Sequence, residues 1–243
     1  MDLLANDYLI VGGIIFLAAL TQSITGFGFA IVSMSFLPAV VGLQTAVPLV
    51  ALLGVTLNSI IWFYYRGNSD FKAVRRLMIA SLIATPIGAL MLDRFPEAIA
   101  LRGLGIIIIS YVVYDGLKLT LPPLKSHFWA YLAGGLSGAL SGAYAVGGPP
   151  IIVYANCRNW GGKEFKSNIT PVFCLIASMA TISHSVQGNL TISVARFAVY
   201  SLPGFAWGLW LGIILSPKIN SFVFKRLTLA LLFFSGLRLL TNS

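Results

Sequence analysis

The sequence predicts an all-α polytopic membrane protein made of two inverted repeats, each a broken (re-entrant-type) helix hairpin followed by three transmembrane helices. Three observations carry this prediction: the composition, two glycine breaks at corresponding places in long apolar stretches, and the distribution of the basic residues. Hydrophobic residues make up 58% of the chain and charged residues 9%, whereas a typical soluble domain is about 25% charged. The chain is therefore expected to be integral to a membrane.

Eight apolar stretches are long enough to cross a bilayer, whose hydrocarbon core of roughly 30 Å needs about 20 helical residues. The loops between them are too short for a soluble domain, so residues 1–243 are expected to form a single membrane domain. Asp2 and Asp7 stand where a cleavable signal peptide would carry basic residues, so no such peptide is expected. The stretches are 8–37, 44–65, 73–92, 98–117, 127–157, 166–187, 195–215 and 219–240.

The first and fifth of these stretches are interrupted by glycine. The first break is the run TGFG at 25–28, and the second is the run SGAYAVGGPP at 141–150. Within lipid, non-helical backbone survives only where protein or a water-filled cavity surrounds it, because unpaired backbone groups cost several kcal/mol there. Paired breaks in corresponding places of two halves are the sequence pattern typical of a transporter's substrate site.

Matches in the same order along both halves indicate an internal duplication, with repeat one at 1–120 and repeat two at 125–243. At spacings of 116 to 123 residues, the second half repeats leucine, glycine, proline and arginine residues of the first. The matched pairs are Leu20 with Leu136, Gly26 with Gly142, Pro48 with Pro171, Gly67 with Gly188 and Arg75 with Arg196.

The basic residues distinguish two ways of threading the chain. If each interrupted stretch crossed the membrane once, both faces would carry eight Lys and Arg residues. If each is a hairpin that enters and leaves by the same face, one face carries twelve and the other four, as cytoplasmic basic loops require. Each half then crosses an odd number of times, so the halves are inverted and both termini lie outside a cell (inner) membrane. The four are Arg94, Arg102, Arg196 and Arg238, and the twelve are Arg66, Lys72, Arg75, Arg76, Lys118, Lys125, Arg158, Lys163, Lys166, Lys218, Lys225 and Arg226.

The two breaks predict a binding site for an anion. In a hairpin, the second half-helix begins near mid-membrane, at about Phe29 in repeat one and at Pro149 or Pro150 in repeat two. A helix N-terminus exposes unpaired N–H groups and about half a positive charge, and proline suits its first turn. No cofactor and no metal is expected. The substrate-binding residues expected at the breaks are Thr25, Gly26, Phe27, Gly28, Ser141, Gly142, Tyr144, Gly147, Gly148, Pro149 and Pro150.

Few other polar groups lie at depth. Asn58, close to the middle of its span, is a candidate for lining the pathway, and the alternative is a hydrogen bond between helices. His184 is a candidate for proton coupling, because ionisable groups within membranes are functional by default. The alternative is an interface residue, since His184 lies near the end of its span. Gly134, Gly135 and Gly138 are interpreted as positions where helices pack closely.

The run QSITGFGFA at 22–30, with its echoes SGALSG at 137–142 and VGGPP at 146–150, resembles the TauE/SafE sulfite exporter family. The resemblance covers the whole chain and implies an exporter of small sulfur-containing or organic anions, such as sulfite, sulfonates or sulfoacetate. Repeat two departs from the pattern by carrying Ala143 and Tyr144 where repeat one carries Phe27 and Gly28. The resemblance places the family's glycine signature at Gly26, Gly28, Gly142, Gly147, Gly148 and Pro149.

Together these features predict a secondary transporter working by alternating access around a midplane site. Because the spans hold no chain of acidic residues, either the substrate carries its own proton or a gradient or membrane potential drives transport. The expected partners are a small anion, the lipid bilayer and a proton or other coupling ion, and a homo-oligomer is left open. Nucleic acid is excluded, because the net charge of +9 is spread in small groups between spans.

Two other functions are considered. A passive anion channel could use the same helix ends. An intramembrane serine protease is suggested by GLSG at 135–138, which matches the GxSG around the serine of rhomboid proteases, with His184 as the base. A serine–histidine dyad needs hydrogen-bond reach, whereas Ser137 is expected well inside its span and His184 near a span end. The protein is therefore not expected to be an enzyme.

Overall fold

The computed structural model describes residues 5–65, 69–92, 94, 96–117, 126–158, 160, 162–217 and 221–241. This part of the chain is built of α-helices joined by short turns, which confirms the predicted all-α class. Its eleven helices are α1 (Ala5–Thr25), α2 (Phe29–Phe36), α3 (Pro38–Val41), α4 (Leu43–Tyr65), α5 (Phe71–Ala89), α6 (Glu97–Gly116), α7 (Phe128–Tyr144), α8 (Gly148–Cys157), α9 (Gly162–Val186), α10 (Ile192–Leu215) and α11 (Ser221–Thr241).

Within the described residues, five helices are long and apolar enough to cross a membrane, namely α1, α4, α6, α9 and α10. Of the eight predicted spans, 73–92 and 219–240 do not meet this criterion, and 127–157 is interrupted as predicted. The predicted span at 73–92 begins in α5 among Lys72, Arg75 and Arg76, which shorten its apolar part. Helix α7 ends after 17 residues because the second glycine break stops it. In α11 the apolar segment is the shorter Leu232–Thr241, and part of the predicted span 219–240 lies outside the described residues.

The chain divides into two compact units. The first consists of Met1–Val50, Phe95–Leu119 and Leu190–Ser243. In this unit α1 packs along α10, α6 packs against α11, and α2 contacts α1, α6 and α11. The short helix α2, which follows the first break, is thus held among three longer helices of its own unit.

The second unit consists of Ala51–Arg94 and Thr120–Asn189. In this unit α7 packs along α5, and α9 contacts α5, α7 and α8. The short helix α8, which follows the second break, contacts α7 and α9. Each short helix therefore packs against the helix that precedes its break.

Glycines four residues apart allow the closest helix contacts in each unit. On α7, a Cβ at Gly134, Gly138 or Gly142 would overlap backbone oxygens of α5. On α10, a Cβ at Gly204 or Gly208 would overlap backbone oxygens of α1. Small residues at such spacing let helix backbones approach each other in lipid, where apolar burial alone gives little attraction between helices.

The structure separates the three glycines that were predicted as packing positions. Gly134 and Gly138 face α5 at close range, as predicted. The prediction is wrong for Gly135, which has open space where a Cβ would stand. One residue along a helix turns the side-chain direction by about 100°, so adjacent glycines cannot both face the same neighbour.

The two units draw helices from both predicted repeats. Arg75 of α5 and Arg196 of α10 were matched in the sequence, so these helices are counterparts. The first hairpin helix of each repeat packs along the counterpart helix of the other repeat, α1 along α10 and α7 along α5. Such an exchange is consistent with a duplicated chain. The boundaries 1–120 and 125–243 and the inversion of the repeats stay predictions.

Candidate functional site

The first break lies between α1 and α2, as the glycines predicted. Helix α1 ends at Thr25, and α2 begins at Phe29, the predicted residue. Between them, Gly26 has a φ of 90° and Gly28 has a φ of 107°. Both values lie in the left-handed region that only glycine adopts without strain. The backbone conformation of the run TGFG therefore ends one helix and allows the next to start.

Side chains of the last turns of α1 hold this break in place. The buried Phe29 N–H donates to Gln22 Oε1 at 3.0 Å, although positions 22 and 29 of an unbroken helix would be about 10.5 Å apart. The Thr25 hydroxyl lies 2.8 Å from the Thr21 carbonyl oxygen and 2.6 Å from the Phe27 carbonyl oxygen, so it can donate to either. One N-terminal donor of α2 is thus satisfied within the protein.

A small cavity adjoins the start of α2. Its volume is about 10 Å³, which is roughly the space of one water molecule. Three of the predicted site residues, Thr25, Phe27 and Gly28, line it together. Its other lining residues, which carry no formal charge, are Thr21, Ile31, Tyr111, Leu229 and Leu232.

Tyr111 of α6 lines this cavity and is its polar lining residue from outside α1 and the first break. Its side chain is only 3% exposed, and its hydroxyl has no hydrogen-bond partner in the described part of the chain. The Tyr111 ring meets the Phe27 ring edge to face, with centroids 6.2 Å apart. A buried hydroxyl without a partner is unusual and calls for an explanation.

The second break lies between α7 and α8. Helix α7 ends at Tyr144, and Ala145 takes a left-handed conformation with a φ of 54°. Helix α8 begins at Gly148, with Pro149 and Pro150 in its first turn. The predicted break is confirmed, and the new helix starts one residue earlier than predicted.

Two serines of α7 lie in close contact with the backbone of Gly147. The Ser137 hydroxyl donates to the Gly147 carbonyl oxygen at 2.5 Å, whereas positions 137 and 147 of an unbroken helix would be about 15 Å apart. A Cβ at Gly147 would overlap Ser137 and the hydroxyl of Ser141. The chain therefore folds back closely against α7, and Gly147 and Ser141 of the predicted site lie together.

The starts of α2 and α8 offer different sets of donors. Proline has no N–H, so Pro149 and Pro150 remove two of the donors that the first turn of α8 would otherwise present. Gly148 and Ile151 supply the backbone N–H groups that remain in this turn. In α2, by contrast, each residue of the first turn carries an N–H, and that of Phe29 is taken by Gln22. The start of α2 thus presents more backbone N–H groups than the start of α8.

His184 lies against the second break, far from its position in sequence. Its side chain is fully buried, and its Nε2 lies 3.0 Å from the Gly142 carbonyl oxygen. Since a carbonyl only accepts, Nε2 carries the proton in this bond, and Nδ1, 3.4 Å from Asn189 Nδ2, acts as an acceptor. The last carbonyls of a helix lack partners within it, so His184 stabilises the end of α7.

The remaining sequence candidates have the following contacts. Asn58 is buried in α4, and its Nδ2 donates to the Gly54 carbonyl oxygen of its own helix at 2.8 Å; its place on the pathway stays a prediction. Tyr144 is half-buried at the end of α7. Ser137 and His184 bond to different carbonyl oxygens, those of Gly147 and Gly142, so the protease dyad is not assembled.

Four residues at the breaks were not among the predicted site residues. Thr21 lies four residues before Thr25, and residues four apart share one face of a helix. This spacing could have predicted that Thr21 lies beside Thr25 at the site. Gln22 and Ser137 lie in the quoted glycine-rich runs, but their contacts depend on the fold. Tyr111, in an apolar span, gives no signal in the sequence. Within the described residues, no group of three or more His, Cys, Asp and Glu side chains could hold a metal ion.

Comparison with known proteins agrees with these observations. Residues 11–239 match the protein family described as sulfite exporter TauE/SafE. A curated relative, the "Probable sulfite/organosulfonate exporter TauE" of Cupriavidus necator, is 23% identical over 226 residues, which cover 90% of this chain and 88% of the relative. No solved structure matches the chain. Since the family match spans nearly the whole sequence, including both glycine breaks, the chain belongs to the TauE/SafE sulfite exporter family.

Proposed function

We propose that the protein is a secondary transporter that exports a small sulfur-containing or organic anion, such as sulfite, a sulfonate or sulfoacetate, across the cell inner membrane. Membership of the TauE/SafE family is the observation that carries this proposal, and the name of the Cupriavidus necator relative supports the substrate class. The paired helix breaks support a site at the half-helix N-termini, with alternating access around it.

The chemistry of the α2 start favours a singly charged anion. Backbone N–H groups and hydroxyls are neutral donors, and a helix N-terminus supplies only about half a positive charge. Burying a doubly charged anion among such groups would leave much of its charge uncompensated. A sulfonate or hydrogen sulfite has one charge and several oxygens that accept hydrogen bonds. The site therefore fits these monoanions better than the dianions sulfate and sulfoacetate, so hydrogen sulfite and simple sulfonates are the favoured members of the proposed substrate class.

His184 is the proposed coupling residue of repeat two. It is the buried imidazole whose Nε2–H holds the Gly142 carbonyl oxygen at the break. Protonation of Nδ1 would add a charge and would replace an acceptor by a donor opposite Asn189. A proton taken up there would thus alter the contacts of the break. The second possibility is that the substrate itself carries the proton.

Transport by purified protein in liposomes tests the proposed function. We expect vesicles to accumulate methanesulfonate and sulfite when a pH gradient or membrane potential is imposed, and to exclude sulfate. Counterflow of labelled methanesulfonate should separate a transporter from a passive channel, because a channel does not exchange one substrate for another against a gradient. If the protein transports neither methanesulfonate nor sulfite, the proposed function is contradicted.

The proposed orientation puts the basic loops in the cytoplasm and both termini outside. Single cysteines at Arg66 and Lys163, introduced after Cys157→Ala and Cys174→Ala, are expected to resist a membrane-impermeant thiol reagent in intact cells. Arg66 and the side chain of Lys163 lie outside the described residues. Permeabilised cells should expose both cysteines to the reagent.

Arg94→Cys provides the matched control for this orientation. Arg94 is exposed and belongs to the four basic residues assigned to the outer face. Its cysteine should react in intact cells. Labelling of the cysteines at 66 and 163 in intact cells, with protection at 94, would reverse the orientation. Labelling of only one of the cysteines at 66 and 163 would contradict the hairpin threading.

A further inference from the structure

We infer that Tyr111 is a substrate-binding residue, whose phenol hydroxyl donates a hydrogen bond to an oxygen of the transported anion at the start of α2. This assignment rests on the proposed function and names a residue that the glycine motifs do not contain. Tyr111 comes from α6, whereas the other polar residues of the cavity come from α1 and the first break. The site at the first break would then be completed by a helix that follows it by some 70 residues, a placement set by the fold.

The first argument is the unsatisfied hydroxyl. Tyr111 is 3% exposed, and its oxygen has no hydrogen-bond partner within the described residues. Buried polar groups are nearly always hydrogen-bonded, because water would otherwise solvate them. Three other buried side-chain atoms also lack a partner within the described residues: Ser33 Oγ, Trp62 Nε1 and Asn168 Nδ2. Tyr111 differs from them in lining the cavity at the first break, together with Thr21 and Thr25.

The second argument is the set of residues that line the cavity together with Tyr111. The same cavity is lined by Thr21, Thr25 and Gly28, and Gly28 is the N-cap of α2. The first turn of α2 adds N–H donors and the positive end of the helix dipole. A pyramidal or tetrahedral oxyanion presents several oxygens in different directions. The Thr21 and Thr25 hydroxyls of α1 donate to backbone carbonyl oxygens, so the donors left for such a ligand come from the α2 start and from Tyr111 of α6.

The third argument is that the Tyr111 ring is fixed. Its edge-to-face contact with Phe27, at a centroid distance of 6.2 Å, joins it to the backbone turn of the break. Such aromatic pairs have a preferred geometry, so the hydroxyl is positioned without a hydrogen bond of its own. A donor held ready in this way loses little freedom when it binds a ligand.

The cavity must enlarge to take an anion. At about 10 Å³ it has the volume of roughly one water molecule. Its apolar wall is formed by Leu229 and Leu232 of α11 and Ile31 of α2. Movement of these side chains or of α11 would provide the room, and alternating access requires a closed state of this kind.

Tyr111→Phe tests the assignment, because it keeps the ring and its contact with Phe27 and removes only the hydroxyl. We would measure the affinity of the purified full-length protein for methanesulfonate and sulfite by calorimetry, and its thermal unfolding without ligand. The affinity is expected to fall about 10-fold or more, the effect of losing one hydrogen bond to a charged group. The unliganded protein should unfold at the same temperature or higher, since a buried unpaired hydroxyl is lost.

Tyr131→Phe is the matched control, since Tyr131 lies on α7 and is 45% exposed. It should leave both the affinity and the unfolding temperature unchanged. Wild-type affinity in Tyr111→Phe would overturn the assignment, as would a lower unfolding temperature without loss of affinity, which indicates a structural role through a bound water. If the wild-type protein binds neither anion, the proposed function itself fails, and the assignment fails with it.

Discussion

Replacing Gly142 by alanine is expected to destabilise the protein by about 3 kcal/mol, at the upper end of the cost of overpacking a well-packed contact. The added Cβ would overlap the carbonyl oxygen of Thr85, a backbone atom that cannot turn aside as a side chain can. Helices α5 and α7 would have to separate along their contact. The same displacement would stretch the bond between His184 Nε2 and the Gly142 carbonyl oxygen.

Gly135→Ala is the matched control on the same helix. A Cβ at Gly135 meets open space, and alanine favours a helix over glycine by up to about 1 kcal/mol. The variant should therefore equal or exceed the wild type in thermal unfolding of the detergent-solubilised protein. If Gly142→Ala and Gly135→Ala are equally stable, α5 and α7 do not pack as closely at Gly142 as described here.

The contrast between Gly142 and Gly135 shows what the sequence could reveal. A small-residue stripe predicts that some helix packs closely there, but the stripe does not say which helix or which face. The contacts of α7 with α5 and of α1 with α10 join helices that at least 38 residues of sequence separate. They arise from tertiary packing, so neither periodicity nor composition could predict them.

The helix breaks, in contrast, were predictable because their causes are local. Gly26 and Gly28 adopt φ values of 90° and 107°, and Pro149 and Pro150 occupy a first helical turn. These conformations follow from the residue types themselves. The bond of His184 to Gly142 and the place of Tyr111 in the cavity had no local cause. The sequence thus predicted the location of the candidate site better than the side chains that complete it.

Gly26→Leu and Gly148→Leu are expected to lower transport at least about 100-fold while the protein still inserts in the membrane. At Gly26 a side chain would enter the first break, where Thr25, Phe27 and Gly28 border the cavity. A loss of this size corresponds to about 2.8 kcal/mol of binding or transition-state stabilisation. Initial rates of methanesulfonate uptake into liposomes, normalised to inserted protein, would measure it.

Backbone strain must be separated from the loss of the site, because Gly26 has a φ of 90°. Gly188 supplies the control, since it has a φ of 78° and open space around its Cβ position. Leucine in a left-handed conformation costs about 1–2 kcal/mol at either position. Gly188→Leu should therefore lose the stability that backbone strain alone costs, without overpacking because Gly188 is exposed, and still transport at close to the wild-type rate. Transport by Gly26→Leu and Gly148→Leu at the rate of Gly188→Leu would mean that the substrate does not pass the breaks.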